Sequence, residues 1–324
     1  MTPEQRQAWL AERRTGIGGS DAAAAVGLSK WKTPLELWLD KRGELETPES
    51  EPMKWGTLLE PVVRQEYSNV TGRTVVIPNR ILRHDRVAFA IFNADGIADN
   101  ERLYEGKTAR TGDGWGEPGS ADIPQDYLLQ VQHGLFVTGL SVADVAVLIG
   151  GSDFRLYEVP ADPELQGLLI SQEAKFWAMV QADEPPPPVN REDVRRRWRI
   201  SSGVKVEADR EAVELAERLA HAKAWKSAIE EVVESTAAAI EEYMGEAAEL
   251  IDDAGNVLAT WKNITANPRF DLERFKAEQP EVWKQYLRNP SPQRRFLLKV
   301  KGPEACQLEH SPQFLLPTAK ALSS

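Results

Sequence analysis

The four consecutive prolines at positions 185–188, in ADEPPPPVNRED, constrain the folding of this 324-residue chain more than any other feature. Proline lacks a backbone N–H and fixes φ, so such a run can continue neither a helix nor a central strand. It forms a stiff, extended connector instead. The chain is therefore expected to divide near residue 190, with one domain over 1–190 and an accessory region over 191–324. That length leaves the first part room for a sizeable core.

Upstream of the prolines, helical and strand-like patterns mix. TPLELWLDKRG places Leu35, Trp38 and Leu39 at helical spacing, with Gly43 suited to a helix end. GTLLEPVVRQEYSNVTG reads as a helix stopped near Gly72. TVVIPNRILRHDRVAFAIFNADGIAD, rich in β-branched and aromatic residues, reads as two or three strands. DYLLQVQHGLFVTG returns to helical spacing, and VADVAVLIGG with FRLYEVP reads as a strand pair. The expected fold class is α/β or α+β, a mixed sheet flanked by helices. Downstream, residues 207–250 read as one long helix or a helical hairpin, and DDAGNVLATWKNI as a β-hairpin. RRFLLKVKG reads as a further strand.

A single cysteine, Cys306, and four scattered histidines exclude a disulfide framework and argue against a zinc site. No apolar run resembles a signal peptide or approaches membrane-spanning length, so the expected location is the cytoplasm, with no membrane partner. The net charge of −11 is unevenly spread. Residues 207–253 carry 14 acidic against 4 basic side chains, whereas 258–302 carry 10 basic against 4 acidic. An acidic total thus hides basic surface, and a nucleic-acid substrate is neither proved nor excluded.

The chemistry-bearing residues of the first part are carboxylates, a lysine and an amide. They are Glu60 in GTLLEPVV, Asp95 in ADGIAD, Glu105 and Lys107 in YEGKT, and Gln130 in YLLQVQH. On a strand, residues two apart share a face, so Glu105 and Lys107 project together. Carboxylates without histidine or cysteine suit a hard cation, Mg²⁺ or Mn²⁺. Such ions serve phosphodiester hydrolysis, and a neighbouring lysine can orient or deprotonate the attacking water. The same E-x-K pair also occurs as a simple surface ion pair. NADGIADNERLYE fails as a calcium loop: with Gly96 at its centre, Ile91 would stand first and Arg102 last. A second feature is RRTGIGGSDAAAAVG, where Ser20 or Asp21 can cap a helix through the alanines. With Arg13 and Arg14 nearby, the same turn could hold a phosphate.

Taken in order, RRTGIGGSD, WGTLLEPVV, ADGIAD, YEGKT and YLLQVQHGLFVTG resemble the YqaJ-type viral recombinases. That group includes phage lambda exonuclease and belongs to the PD-(D/E)XK nucleases. The resemblance covers roughly residues 9 to 185. It implies that Asp95, Glu105 and the carbonyl of Gly106 ligate two Mg²⁺ (or Mn²⁺) ions, and that Lys107 manages the nucleophilic water. Glu60 would assist at the metals and Gln130 would complete the pocket, with Gln132 its substitute if the register shifts. Arg13 and Ser20, seven apart, would hold a 5′-phosphate, with Arg14 the alternate and Trp9 a packing residue. The family usually has an apolar residue where this chain has Gly106, and a bulge there would put Glu105 and Lys107 out of phase. Trp115, in the glycine-rich loop ARTGDGWGEPGSADIP, is expected to stack on a base near the cleavage point or else to pack in the core.

The resemblance further implies digestion of one strand of duplex DNA from its 5′ end. It also implies a homo-oligomer, a ring-shaped trimer, and a single-strand annealing protein as partner. The accessory region's basic segment, with Trp261, Phe270, Trp283, Tyr286 and Phe296, could bind DNA by charge and stacking, or serve as a structural subdomain. Two alternatives remain: an endonuclease using the same residues, and a non-catalytic DNA-binding or assembly protein.

Overall fold

Three eight-residue strands organise the first part of the chain, in a computed structural model that describes residues 3–45, 50–265, 267–288 and 294–302. The chain forms two compact units, one ending at Arg197 and the other beginning at Trp198. In the first, helices α1 (Pro3–Arg13), α2 (Gly19–Ala25), α3 (Pro34–Lys41) and α4 (Glu51–Thr71) precede the strands. Strands β1 (Val75–Val76), β2 (Leu82–Arg83), β3 (Ile91–Phe92), β4 (Gly96–Ala98) and β5 (Arg102–Ala109) follow. Then come α5 (Gln125–Thr138), β6 (Val142–Ile149), β7 (Asp153–Pro160), α6 (Pro163–Ala182) and α7 (Arg191–Arg197).

Five strands form one mixed sheet in the order β1-β4-β5-β6-β7. Only β5 and β6 run parallel, and α5 makes the crossover between them. The antiparallel β6–β7 pair is the one expected from the sequence. Strand β6 is buried at most of its positions because helices cover both sheet faces, which is why it reads as a nearly continuous apolar run. On one face, Leu103, Val145 and Val147 pack with Val131 and Leu135 of α5. On the other, Tyr104 and Ala146 pack with Val63 and Tyr67 of α4.

Local signals set the helix ends. Thr33 accepts from the Glu36 N–H while the Glu36 carboxylate accepts from the Thr33 N–H, a reciprocal capping box that starts α3. Helix α4 stops at Gly72 and α5 at Gly139, both left-handed, where a side chain would be strained. The strand-rich stretch before β5 contains four short strands, where two or three were expected. Helix α7, placed with the accessory region from sequence, belongs to the first unit. Thr33 Oγ1 donates to Asp193 at 2.9 Å, and Arg196 pairs with Glu36 at 2.5 Å.

In the second unit, residues Arg210–Met244 form one 35-residue helix, α8, and no hairpin. Strands β8 (Glu249–Ile251) and β9 (Val257–Thr260) form the expected hairpin. Its turn is held by Asp252, whose Oδ1 accepts from the N–H groups of Ala254 and Asn256. Short helices α9 (Leu272–Glu278) and α10 (Pro280–Gln285) follow. The strand expected in RRFLLKVKG does not form: residues 294–299 are irregular, and the apolar segment leads to Gly302 beside Ala220 and Ala224 of α8. Among the described residues, no helix is long and apolar enough to cross a membrane.

Candidate active site

Strand β5 carries the centre of the site. Its register with β6 is uninterrupted, Glu105 opposite Val145, Gly106 opposite Ala146 and Lys107 opposite Val147. Gly106 therefore makes no bulge, and Glu105 and Lys107 share the face that looks toward α5. Lys107 Nζ donates to Glu105 Oε1 at 2.7 Å and to Gln130 Oε1 at 3.2 Å. The Gln130 amide in turn donates to Glu105 Oε1. Asp95, just before β4, accepts from the Gly106 N–H at 3.0 Å. Glu105, Lys107 and Gln130 thus meet through direct side-chain hydrogen bonds, and Asp95 joins them through the Gly106 backbone.

Glu105 is 1 % exposed, and its second oxygen, Oε2, is buried without a hydrogen-bond partner. Burial and the neighbouring Asp95 carboxylate push its pKa up to about 8, against the opposing pull of Lys107. Burial alone would lower the Lys107 pKa, but the Glu105 and Asp95 carboxylates more than reverse this and raise it. A buried carboxylate oxygen with no donor, next to a second carboxylate, is an arrangement that a cation satisfies. Every candidate donor is oxygen, which fits Mg²⁺ or Mn²⁺. Among the described residues, no three His, Cys, Asp or Glu side chains converge as a metal cluster. The donors would then be Asp95, Glu105 and the Gly106 carbonyl. Glu60 instead pairs with Arg64 on its own helix at 2.9 Å, and its charge reaches the site only through space, at the Tyr104 hydroxyl.

The glycine-rich turn places Arg13 and Ser20 together: Arg13 Nη2 donates to Ser20 Oγ at 2.9 Å. Asp21, a buried residue, organises this turn. Its Oδ2 accepts from Lys41 Nζ at 2.6 Å and from the Gly18 N–H at 3.0 Å, and its Oδ1 lies 3.5 Å from Arg13 Nη2. Burial pushes the Asp21 pKa up, yet Lys41 and Arg13 together hold it well below the usual carboxylate range. The Arg13 guanidinium also lies 4.8 Å over the Trp9 ring, so Trp9 supports it from below. A Cβ at Gly19 would come within 3.1 Å of the Gln130 carbonyl, so the turn abuts α5 at the residue that binds Glu105 and Lys107. Arg14 points elsewhere, donating to the Asp40 carbonyl at the end of α3.

Three expectations are corrected. Trp115 is packed between Tyr127 and Tyr157 with ring centroids 5.6 and 5.1 Å away, so it is a core residue and no base can stack on it. Ser20 does not cap α2: Gly18 holds the N-cap position, and Asp21 reaches back to its N–H. Gln132 is no substitute for Gln130, because it is buried and tied to the Pro160 carbonyl and the Asp162 N–H. Sequence reasoning missed Lys41, the partner of Asp21, and Tyr127, whose ring lies 5.0 Å from Lys107 Nζ. The spacing of Tyr127 three residues before Gln130 was the available signal for the latter, since it puts both on one face of α5.

Residues 8–141 match the family model described as the YqaJ-like viral recombinase domain. The uncharacterized protein YqaJ of Bacillus subtilis (strain 168) is 33 % identical over 304 residues, covering 91 % of this chain and 94 % of that one. Among solved structures, the alkaline exonuclease LHK-Exo of Laribacter hongkongensis is 20 % identical with a TM-score of 0.45, covering 55 % of this chain and 93 % of that chain. A phage-related exonuclease of Haemophilus somnus 129PT is 12 % identical with a TM-score of 0.40, over 52 % and 96 % of the two chains.

Proposed function

Since the chain belongs to the YqaJ-like viral recombinase family, we propose that it is a divalent-metal-dependent deoxyribonuclease that digests one strand of linear duplex DNA from a 5′-phosphorylated end. The product would be a 3′ single-stranded tail for recombination. The observation that carries this reading is the buried, unpartnered Oε2 of Glu105 beside Asp95, with Lys107 and Gln130 on the other oxygen.

Each side chain then has a task. Asp95, Glu105 and the Gly106 carbonyl would hold the cation, which when bound neutralises charge on phosphoryl oxygens and makes water a stronger acid. Lys107 stays an ammonium between its two carboxylate neighbours, so it serves as a donor that orients water and the reacting phosphate. Gln130 fixes both Glu105 and Lys107 from α5 and keeps their rotamers in place. Arg13 and Ser20 would receive the terminal 5′-phosphate, the guanidinium supplying a charge-assisted bond and the hydroxyl a second donor. Asp21 and Lys41 position Arg13 and do not contact DNA. Glu60 would act through the charge it adds near Tyr104.

Linear duplex with a 5′-phosphate, the same duplex with a 5′-hydroxyl, and a covalently closed circle test this reading together. Each is incubated with Mg²⁺, with EDTA, and with Glu105→Ala. Digestion confined to linear DNA, faster from the phosphorylated end and absent with EDTA or the variant, is the expected result. Cutting of the circle would replace the exonuclease by an endonuclease, and no turnover by folded protein would leave a binding protein. The same reading includes a ring-shaped homotrimer and an annealing-protein partner. Light scattering on the purified chain tests the first, and co-purification with a co-expressed annealing protein tests the second.

A further inference from the structure

We propose that Trp31 is the platform on which a base of the DNA end stacks beside the cleavage site. This rests on the nuclease reading above and assigns that site a further substrate contact. Four aromatic rings run in a row from solvent into the core. Trp31 lies 6.0 Å from Tyr127, Tyr127 lies 5.6 Å from Trp115, and Trp115 lies 5.1 Å from Tyr157. Exposure falls along the row from 67 % at Trp31 to 8 % at Trp115 and 1 % at Tyr157. The row passes the reacting centre, because Lys107 Nζ sits 5.0 Å from the Tyr127 ring. Trp31 is therefore the one tryptophan of the row with a face open to a ligand, a short step from the lysine. The contacts of 6.0 and 5.0 Å through Tyr127 bound that step at no more than about three nucleotides of ~3.4 Å each.

A stacking platform binds best when it is held in place before the ligand arrives. Trp31 is held. The loop between α2 and α3 is pinned on one side by the Lys30 N–H, which donates to Asp126 Oδ1 at 3.3 Å. The Trp31 N–H donates to Ser29 Oγ at 3.2 Å, and Thr33 begins α3 immediately after. Asp126 is itself buried and adjacent to Tyr127, so the loop and the aromatic row are fixed to the same turn of α5. A pre-positioned indole loses little freedom when a base lands on it. Stacking on an aromatic face accepts any base, so this contact imposes no sequence preference.

The test uses duplex DNA carrying 2-aminopurine at each of the first four positions from a 5′-phosphorylated end. Ca²⁺ replaces Mg²⁺ so that binding is read without hydrolysis. Wild type is expected to quench the probe at one or two positions. Trp31→Ala is expected to abolish that quench and to weaken DNA binding by about 5- to 100-fold, whereas Trp31→Phe retains most of both. All three proteins should melt alike, because the side chain is exposed. Unchanged quench and affinity in Trp31→Ala would overturn the proposal. A Trp31-dependent quench in a protein that never hydrolyses DNA in Mg²⁺ would sink the nuclease reading and keep the stacking site. A wild-type chain with no affinity for DNA would overturn both.

Discussion

A side chain at Gly106 would collide with the hydroxyl of Tyr104, two residues earlier on the same strand. A Cβ built at Gly106 lies 2.9 Å from that oxygen and 3.5 Å from the ring carbon that bears it. Tyr104 is fully buried, and its hydroxyl finds no hydrogen-bond partner. The glycine and the tyrosine are therefore a matched pair. Gly106→Ala should destabilise the protein by about 1–3 kcal/mol through overpacking. In a Tyr104→Phe background the remaining 3.5 Å contact is ordinary, so the alanine should be neutral or stabilising there, since glycine in a strand costs roughly 0.5–1 kcal/mol. Urea melts of the four proteins in this cycle give the coupling, and additive effects would refute the pairing.

Glu105 places a stability cost on the fold that should vanish with its charge. Its folded pKa of about 8 lies above that of an unfolded glutamate, so the folded state holds the extra proton. Stability from this group is thus complete below about pH 4.5 and declines as pH rises toward 8. Glu105→Gln should raise Tm at pH 8 and change it little at pH 5. Added Mg²⁺ should stabilise wild type at pH 8 by mass action and leave Glu105→Gln unmoved. A variant that melts below wild type at pH 8 would contradict this assignment.

Much of this was legible before the structure, for reasons that differ by residue. The ends of α4 and α5 were readable because Gly72 and Gly139 are local stop signals. The Glu105–Lys107 pair was readable because strand alternation is a local rule, and β5 obeys it without a bulge. Pairings distant in sequence were not readable. Asp21 meets Lys41 twenty residues on, and His133 meets Glu173 forty residues on. Neither spacing leaves a periodic trace. The two tryptophans show the same limit: Trp115 in a glycine-rich loop is buried, and Trp31 beside a helix start is exposed, because tertiary packing decides both. The segment 294–299 carries Phe296, Leu297 and Leu298 in strand-like order, but among the described residues it pairs with no strand.

The Arg13 pocket separates binding from folding. Arg13 is partly exposed and Lys41 still pairs with Asp21 when it is removed, so Arg13→Ala should cost only about 1–2 kcal/mol through the lost Asp21 and Trp9 contacts. It should nevertheless erase the difference between 5′-phosphate and 5′-hydroxyl ends. Lys41→Met should do the reverse kind of damage, stranding the Asp21 carboxylate in the core at a cost of about 3–5 kcal/mol. Because the Asp21 pKa is lowered, its contribution should hold at neutral pH and drain away only as pH falls below about 4. An Arg13→Ala protein that keeps its 5′-phosphate preference would remove this residue from the pocket.

His133 should give the clearest pH signature of the core. Its Nδ1 lies 3.0 Å from both oxygens of Glu173, and its Nε2 lies 2.9 Å from the Ile91 carbonyl. An ionised Glu173 and the Ile91 carbonyl are both acceptors, so the imidazolium form, with both ring nitrogens donating, satisfies every group. Burial would lower its pKa, but the Glu173 carboxylate more than reverses this and raises it above the ordinary histidine value. A raised histidine stabilises fully below about pH 6.5 and loses that stabilisation as pH climbs through the folded pKa. The bond to Ile91 extends the effect toward the glycine-rich turn, because the Ile91 N–H donates to the Ile17 carbonyl beside the glycines. His133→Gln leaves Glu173 buried without its counter-charge and should cost about 3–5 kcal/mol at pH 6. Changing both residues, His133→Gln with Glu173→Gln, should recover a substantial part of that loss and flatten the decline in stability above pH 6.5. Melts from pH 5 to 9 on the three proteins decide it: a double variant whose stability falls with pH as steeply as wild type would show that the slope arises elsewhere.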